Sequence, residues 1–128
     1  MKEKMKNTKL ILISLVLMFL TVGFASAQEK LRNGVAVRGE IGGEAHAKYV
    51  IRARRGQTIT VVVTRRVARD GNFNLSVTRG AGGQDVPGKE TNGRGQLVWT
   101  GKARATGNYY FDMTAHPTTR YTIRVTVS

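Results

Sequence analysis

The sequence predicts an all-β protein, an antiparallel β-sandwich of about seven or eight strands, and three observations carry that prediction. From Val35 onward, apolar residues recur at alternate positions in short runs. That is the period of strands with one face buried and the other wet. Turn formers such as Gly42-Gly43, Gly56, Gly71 and His116-Pro117 separate the runs, as expected where a chain reverses direction repeatedly. Beyond residue 27 no segment repeats with helical periodicity, so sheets must bury one another's apolar faces.

After a polar lead-in from Gln28 to Asn33, Val35 to Ile41 reads as the first strand, with Val35, Val37 and Ile41 inward. Lys48 to Thr64 (KYVIRARRGQTITVVVT) supplies the next two. Tyr49, Ile51 and Ala53 share one face, and Ile59, Val61 and Val63 share another, because side chains change sides at every residue. Between them Arg55-Gly56-Gln57 is a turn, in which Gly56 permits the backbone angles of a tight reversal. Arg65, Arg66, Arg69 and Asp70 form a charged connection ending at Gly71. Asn72 to Thr78 alternates cleanly, with Phe73, Leu75 and Val77 inward. Arg79 to Gly95 holds six glycines and Pro87 and is expected to be a mobile loop, since such a composition loses much entropy on ordering. Leu97 to Trp99 is a short apolar strand, followed by a basic loop from Gly101 to Gly107. Asn108 to Thr114 turns Tyr109, Phe111 and Met113 inward, and Tyr121, Ile123, Val125 and Val127 form a last inward row opposite Thr122, Arg124 and Thr126.

At 128 residues the chain has room for one domain with a substantial core. Residues 1–27 read as a secretory signal peptide, leaving 28–128 as a single sandwich domain. Lys2, Lys4, Lys6 and Lys9 are the basic start, Leu10 to Phe24 the apolar run, and Ala25-Ser26-Ala27 the cleavage site. The run is shorter than the roughly 20 residues a membrane helix needs, so no membrane span is expected after cleavage, and the destination is periplasmic or secreted. Cleavage removes four lysines and one glutamate, which leaves a charge of about +10 on the mature chain. Thirteen of its seventeen basic residues are arginine, a composition suited to bidentate contact with carboxylate or phosphate. With no cysteine in the chain, disulfides, thiol chemistry and a lipid-bearing cysteine are excluded.

Chemistry of its own is not expected. Beyond the leader the serines are Ser76 and Ser128 and the histidines His46 and His116. A Ser76, His116 and Asp112 triad can be written down, but no sharp nucleophile turn surrounds Ser76. The two histidines lack the neighbouring ligands of a zinc site, and Glu40 and Glu44 fit charge compensation of arginines such as Arg38 better than paired acid and base. No catalytic residue, metal or cofactor is therefore assigned.

The pattern Gly39-x-Ile41, Tyr49-x-Ile51-x-Ala53, Arg55-Gly56-Gln57-x-Ile59-x-Val61, Asn74-Leu75, Ala105-Thr106-Gly107-x-Tyr109-x-Phe111 and Tyr121-x-Ile123-x-Val125 resembles the bacterial pre-peptidase C-terminal domain. Single-domain secreted relatives of that kind include periplasmic inhibitors of g-type (goose-type) lysozyme. The chain resembles these in size, in its leader and in the Ala53-Arg54-Arg55-Gly56-Gln57 turn. The resemblance implies a jelly-roll-like sandwich and lysozyme inhibition by a loop inserted into the enzyme cleft. The Ser-Gly-x-Tyr loop of such inhibitors matches Thr106, Gly107, Asn108 and Tyr109 here, and Lys102 and Arg104 stand beside it as cations that suit an acidic cleft. The alternative is a cationic module that binds anionic envelope polymers through Arg52, Arg54, Arg55, Arg65, Arg66 and Arg69. Nucleic acid is disfavoured as a partner, because Phe73, Tyr109, Phe111 and Tyr121 read as inward and leave few rings for base stacking.

Overall fold

The computed structural model describes residues 28–43, 45–65, 72–80 and 82–128. The leader, Glu44, Arg66 and Arg69 lie outside the described residues. Within them every regular element is a strand: β1 (Glu29–Lys30), β2 (Val37–Ile41), β3 (Ala47–Ala53), β4 (Thr58–Arg65), β5 (Asn72–Arg79), β6 (Gln84–Asp85), β7 (Gly88–Gly93), β8 (Gln96–Lys102), β9 (Gly107–His116) and β10 (Thr119–Val127). None of the described residues forms a helix long and apolar enough to cross a membrane.

Two five-stranded sheets result, ordered β1-β3-β9-β5-β6 and β2-β10-β4-β8-β7. All pairings are antiparallel except that of β1 with β3. The chain changes sheet at most connections, and only β5–β6 and β7–β8 are hairpins. Thus β3 and β4, adjacent in sequence, do not pair. The Arg54–Gln57 turn is an arch that carries the chain from one sheet to the other, so the inward rows Tyr49, Ile51, Ala53 and Ile59, Val61, Val63 approach from opposite sides of one core.

That core is the set the alternation predicts. Ile59, Val61, Val63, Tyr109, Phe111, Met113, Ile123 and Val125 have no accessible surface, and each such aliphatic or aromatic side chain contributes about 1.5–3 kcal/mol on burial. Leu75 is half-buried at its margin. Tyr49 and Tyr121 meet edge to face, with ring centroids 6.4 Å apart at 83°, and their hydroxyls hydrogen-bond to each other. Gly39 makes room for this pair, since a Cβ there would collide with the Tyr121 hydroxyl.

Three expectations are corrected. Val35 precedes β2 and is 48 % exposed, because pairing with β10 begins only at Val37 opposite Ile123. Among the described residues there are ten strands, two of them only two residues long. Of the additional ones, β1 comes from the polar lead-in, and β6 and β7 come from the stretch between Arg79 and Gly95, which is ordered into the β5–β6 and β7–β8 hairpins. Gly80, Gly82, Gly83 and Gly95 are turn residues, and Gly88 and Gly93 are the ends of β7. Arg94 (φ 38°) and Gly95 (φ 79°) form a two-residue hairpin loop of the left-handed kind that matches strand twist, and Gly88 and Gly101 leave space for the Trp99 indole.

Candidate functional site

Two connections that change sheets meet at one end of the sandwich. In the Arg54–Gln57 arch the Gln57 amide N–H bonds the Arg54 carbonyl (3.0 Å), and the Arg54 N–H bonds Gln57 Oε1 (2.7 Å). The β8–β9 connection lies against it. Gly56 N–H donates to the Ala103 carbonyl (2.7 Å), Ala103 N–H to the Gln57 carbonyl (2.8 Å), and Arg55 N–H to Thr106 Oγ1 (3.0 Å). Beneath them Tyr109 is fully enclosed. Its hydroxyl donates to the Ala105 carbonyl (2.6 Å) and accepts from the Ala105 N–H (3.3 Å), which pins the loop from below. Ser128 and Thr58 exchange backbone bonds beside the arch (2.8 and 3.0 Å), so the chain end belongs to the same region.

From this end Arg54, Arg55, Lys102, Arg104, Thr106 and Asn108 project into solvent, and Gly107 is half-buried. Among the described residues the ion pairs are His46 with Asp112 (2.8 Å) and Arg120 with Glu40 (3.6 Å), and neither involves these cations. The structure therefore groups Thr106, Gly107, Asn108, Lys102 and Arg104 as the sequence suggests, and adds Arg54 and Arg55. It departs from expectation at Tyr109. A side chain at the bottom of the loop has no surface to offer a partner, because the inward alternation of β9 takes precedence over its place in the motif.

The six-arginine patch is not assembled. Arg52, Arg54 and Arg55 lie at the loop end, but Arg65 closes the far end of β4, roughly 23 Å away at about 3.3 Å per residue. Its guanidinium stacks over Phe73, 4.9 Å from the ring centroid. Its Nε is buried, and no acceptor among the described residues reaches it. Arg66 and Arg69 lie outside the described residues.

Nor do the reactive side chains form a triad. Asp112 stands opposite Ser76 on β5 and Lys48 on β3, and its carboxylate takes the hydrogen bond from His46 Nδ1. The carboxylate thus sits between serine and histidine, whereas general-base activation needs the imidazole in the middle. His116 is opposite Asn72, four residues further along β9, and among the described residues no three His, Cys, Asp or Glu side chains gather as a metal site. Outward of the first sheet, two adjoining grooves of about 290 and 630 Å³ share Gln28 and Tyr110. The sequence signal for Tyr110 is its phase, one residue out of step with Tyr109 and Phe111.

No protein-family model matches the chain, and neither does any curated protein. Its fold is found in solved structures. One is the pre-peptidase C-terminal domain of a collagenase from Bacillus anthracis, with a TM-score of 0.65 and 14 % identity over 77 % of this chain and 94 % of that one. Another is PliG of Aeromonas hydrophila, a periplasmic inhibitor of g-type lysozyme, with a TM-score of 0.57 and 18 % identity over 80 % of this chain and 96 % of that one. The suspected sandwich is thus the observed one.

Proposed function

We propose that the mature chain is an exported, non-enzymatic binding protein that inhibits a g-type lysozyme by seating its loop end in the enzyme cleft. The observation that supports this best is the latch between the two loops, three hydrogen bonds joining Arg54–Gln57 to residues 103–106 above a buried tyrosine. A projection held in this way loses little conformational freedom on docking, which is what turns contact into affinity. Tyr109 positions the loop, and contact falls to Arg54, Arg55, Lys102, Arg104, Thr106 and Asn108. The fold shared with a g-type lysozyme inhibitor supports the choice of enzyme. Net charge works against approach to a basic enzyme, whereas guanidinium groups at the tip suit the carboxylates of a glycosidase cleft. Export is carried by the leader at residues 1–27.

The test is direct binding of the mature protein to g-, c- and i-type lysozymes at about 0.15 M salt, where the Debye length is ~8 Å. It is paired with turnover of a soluble, uncharged oligosaccharide, because a cationic protein coating an anionic cell wall would mimic inhibition. One-to-one binding to the g-type enzyme with loss of turnover is expected, weakened at least tenfold in the Arg54→Gln/Arg104→Gln variant. Binding to none of the three enzymes overturns the proposal.

A further inference from the structure

A second cationic surface lies away from the loop end, on the outer face of the second sheet. Strand β10 presents Arg120, Thr122 and Arg124 there, and β2 places Arg38 opposite Thr122 while β4 places Thr64 on its other side. Arg120 and Arg124 are four residues apart on one strand, roughly 13 Å, with Arg38 displaced to the neighbouring strand between them. Each therefore stands about 8 Å from the next, within a Debye length, so their potentials add. Arg38, Arg120, Thr64 and Thr122 line an open concavity of about 570 Å³, together with Arg65 from the end of β4. The carboxylate on this face, Glu40, meets Arg120 at 3.6 Å with both groups well exposed, a pairing too weak to hold the guanidinium against a competing anion.

We propose that this face binds a linear anionic polysaccharide. Three arginines about 8 Å apart, spread over roughly 13 Å of two neighbouring strands, match anions repeated along a chain better than one compact anion. Threonine hydroxyls between the arginines provide donors and acceptors for sugar hydroxyls. Val62 and Val98 are the apolar outward residues on β4 and β8, and no aromatic side chain points outward among the described residues of this face, so the stacking on which single-stranded nucleic acid binding rests has no platform. This inference stands apart from the inhibitor reading, since it uses none of the residues of the loop end.

The experiment measures binding of the mature protein to heparin, polygalacturonate, poly-L-glutamate and neutral dextran across a salt series. Binding to heparin or polygalacturonate, falling steeply with salt and absent for dextran, is expected; heparin carries sulfate and carboxylate and polygalacturonate carboxylate alone, so binding to heparin without polygalacturonate identifies sulfate as the recognised group. Arg38→Gln/Arg120→Gln/Arg124→Gln should lose at least tenfold in affinity. The charge-matched Arg54→Gln/Arg55→Gln/Arg104→Gln variant should lose no more than about threefold. Equal losses in the two variants would mean that net charge binds and not this face. Tighter binding to poly-L-glutamate than to either polysaccharide would assign the face to acidic protein, and no polyanion binding at all would remove the proposal. Lysozyme inhibition, measured on the same two variants, fails or survives independently.

Discussion

The Tyr109 hydroxyl donates to the Ala105 carbonyl, four residues back in the chain, at 2.6 Å. A fully buried ring thereby fixes the backbone of a loop whose other side chains are exposed. Tyr109→Phe keeps the ring and removes the bond, leaving the Ala105 carbonyl without its donor. The expected cost is about 1–3 kcal/mol, read as a lower urea midpoint with an unchanged m-value. On the inhibitor reading, lysozyme binding should weaken as well, through loss of loop order. A variant of full stability would show that the hydroxyl does not hold the loop.

The bond from the Arg55 N–H to Thr106 Oγ1 ties together two connections that each cross from one sheet to the other. Thr106→Val is nearly isosteric and removes the acceptor. Because the site is exposed, water replaces the lost partner and the stability change should stay within about 1 kcal/mol. On the inhibitor reading affinity for the g-type enzyme should nonetheless fall several-fold, while Thr106→Ser, which retains the oxygen, should bind nearly as well as the parent. Titration calorimetry beside chemical denaturation separates the two effects.

The inward rows from Tyr49 to Val127 were legible because alternation is a local property, fixed wherever one face of a strand is buried. Pairing is not local. Nothing in KYVIRARRGQTITVVVT says whether the two strands meet as a hairpin or part across an arch, and it is the arch that places Arg54 and Arg55 beside Lys102 and Arg104. The same non-local step separates Arg65 from Arg52, Arg54 and Arg55 and gathers Arg38, Arg120 and Arg124. Composition misled at Arg79 to Gly95, where glycine serves positive φ and clearance for Trp99. At Tyr109 the motif and the phase of the strand made opposite claims, and the phase decided which way the ring points.

The Tyr49 and Tyr121 phenols share a hydrogen bond inside the core. Burial, above all, pushes both hydroxyls above their ordinary range. A raised folded-state pKa favours the neutral form, so this contribution is fully present below the unfolded value near 10. It is lost as pH rises beyond that value, when unfolded tyrosine ionises and the folded pair cannot. The urea midpoint should therefore hold steady to about pH 9 and fall above about pH 10. Tyr121→Phe, with one phenol fewer to ionise, should be less stable at neutral pH yet lose less on going alkaline. An equal alkaline fall in parent and variant would place the transition elsewhere.

Arg65 provides the sharpest separation between charge as structure and charge as function. Its guanidinium gains from stacking on Phe73, about 0.5–2 kcal/mol for a partly desolvated cation over a ring. Against this stands a buried Nε–H that no described acceptor meets, and an unsatisfied donor costs about 1–3 kcal/mol. Methionine has similar reach, packs well against an aromatic edge and brings no donor. Arg65→Met should thus be neutral or stabilising by about 1 kcal/mol, in contrast to the loss usual for a half-buried side chain. Arg65 borders the concavity that Arg38 and Arg120 line, but its guanidinium is held over Phe73, so polysaccharide affinity should fall by no more than about threefold although a full charge is gone. A marked loss of stability would mean that Nε has an acceptor beyond the described residues, and a tenfold loss of affinity would return Arg65 to the binding surface.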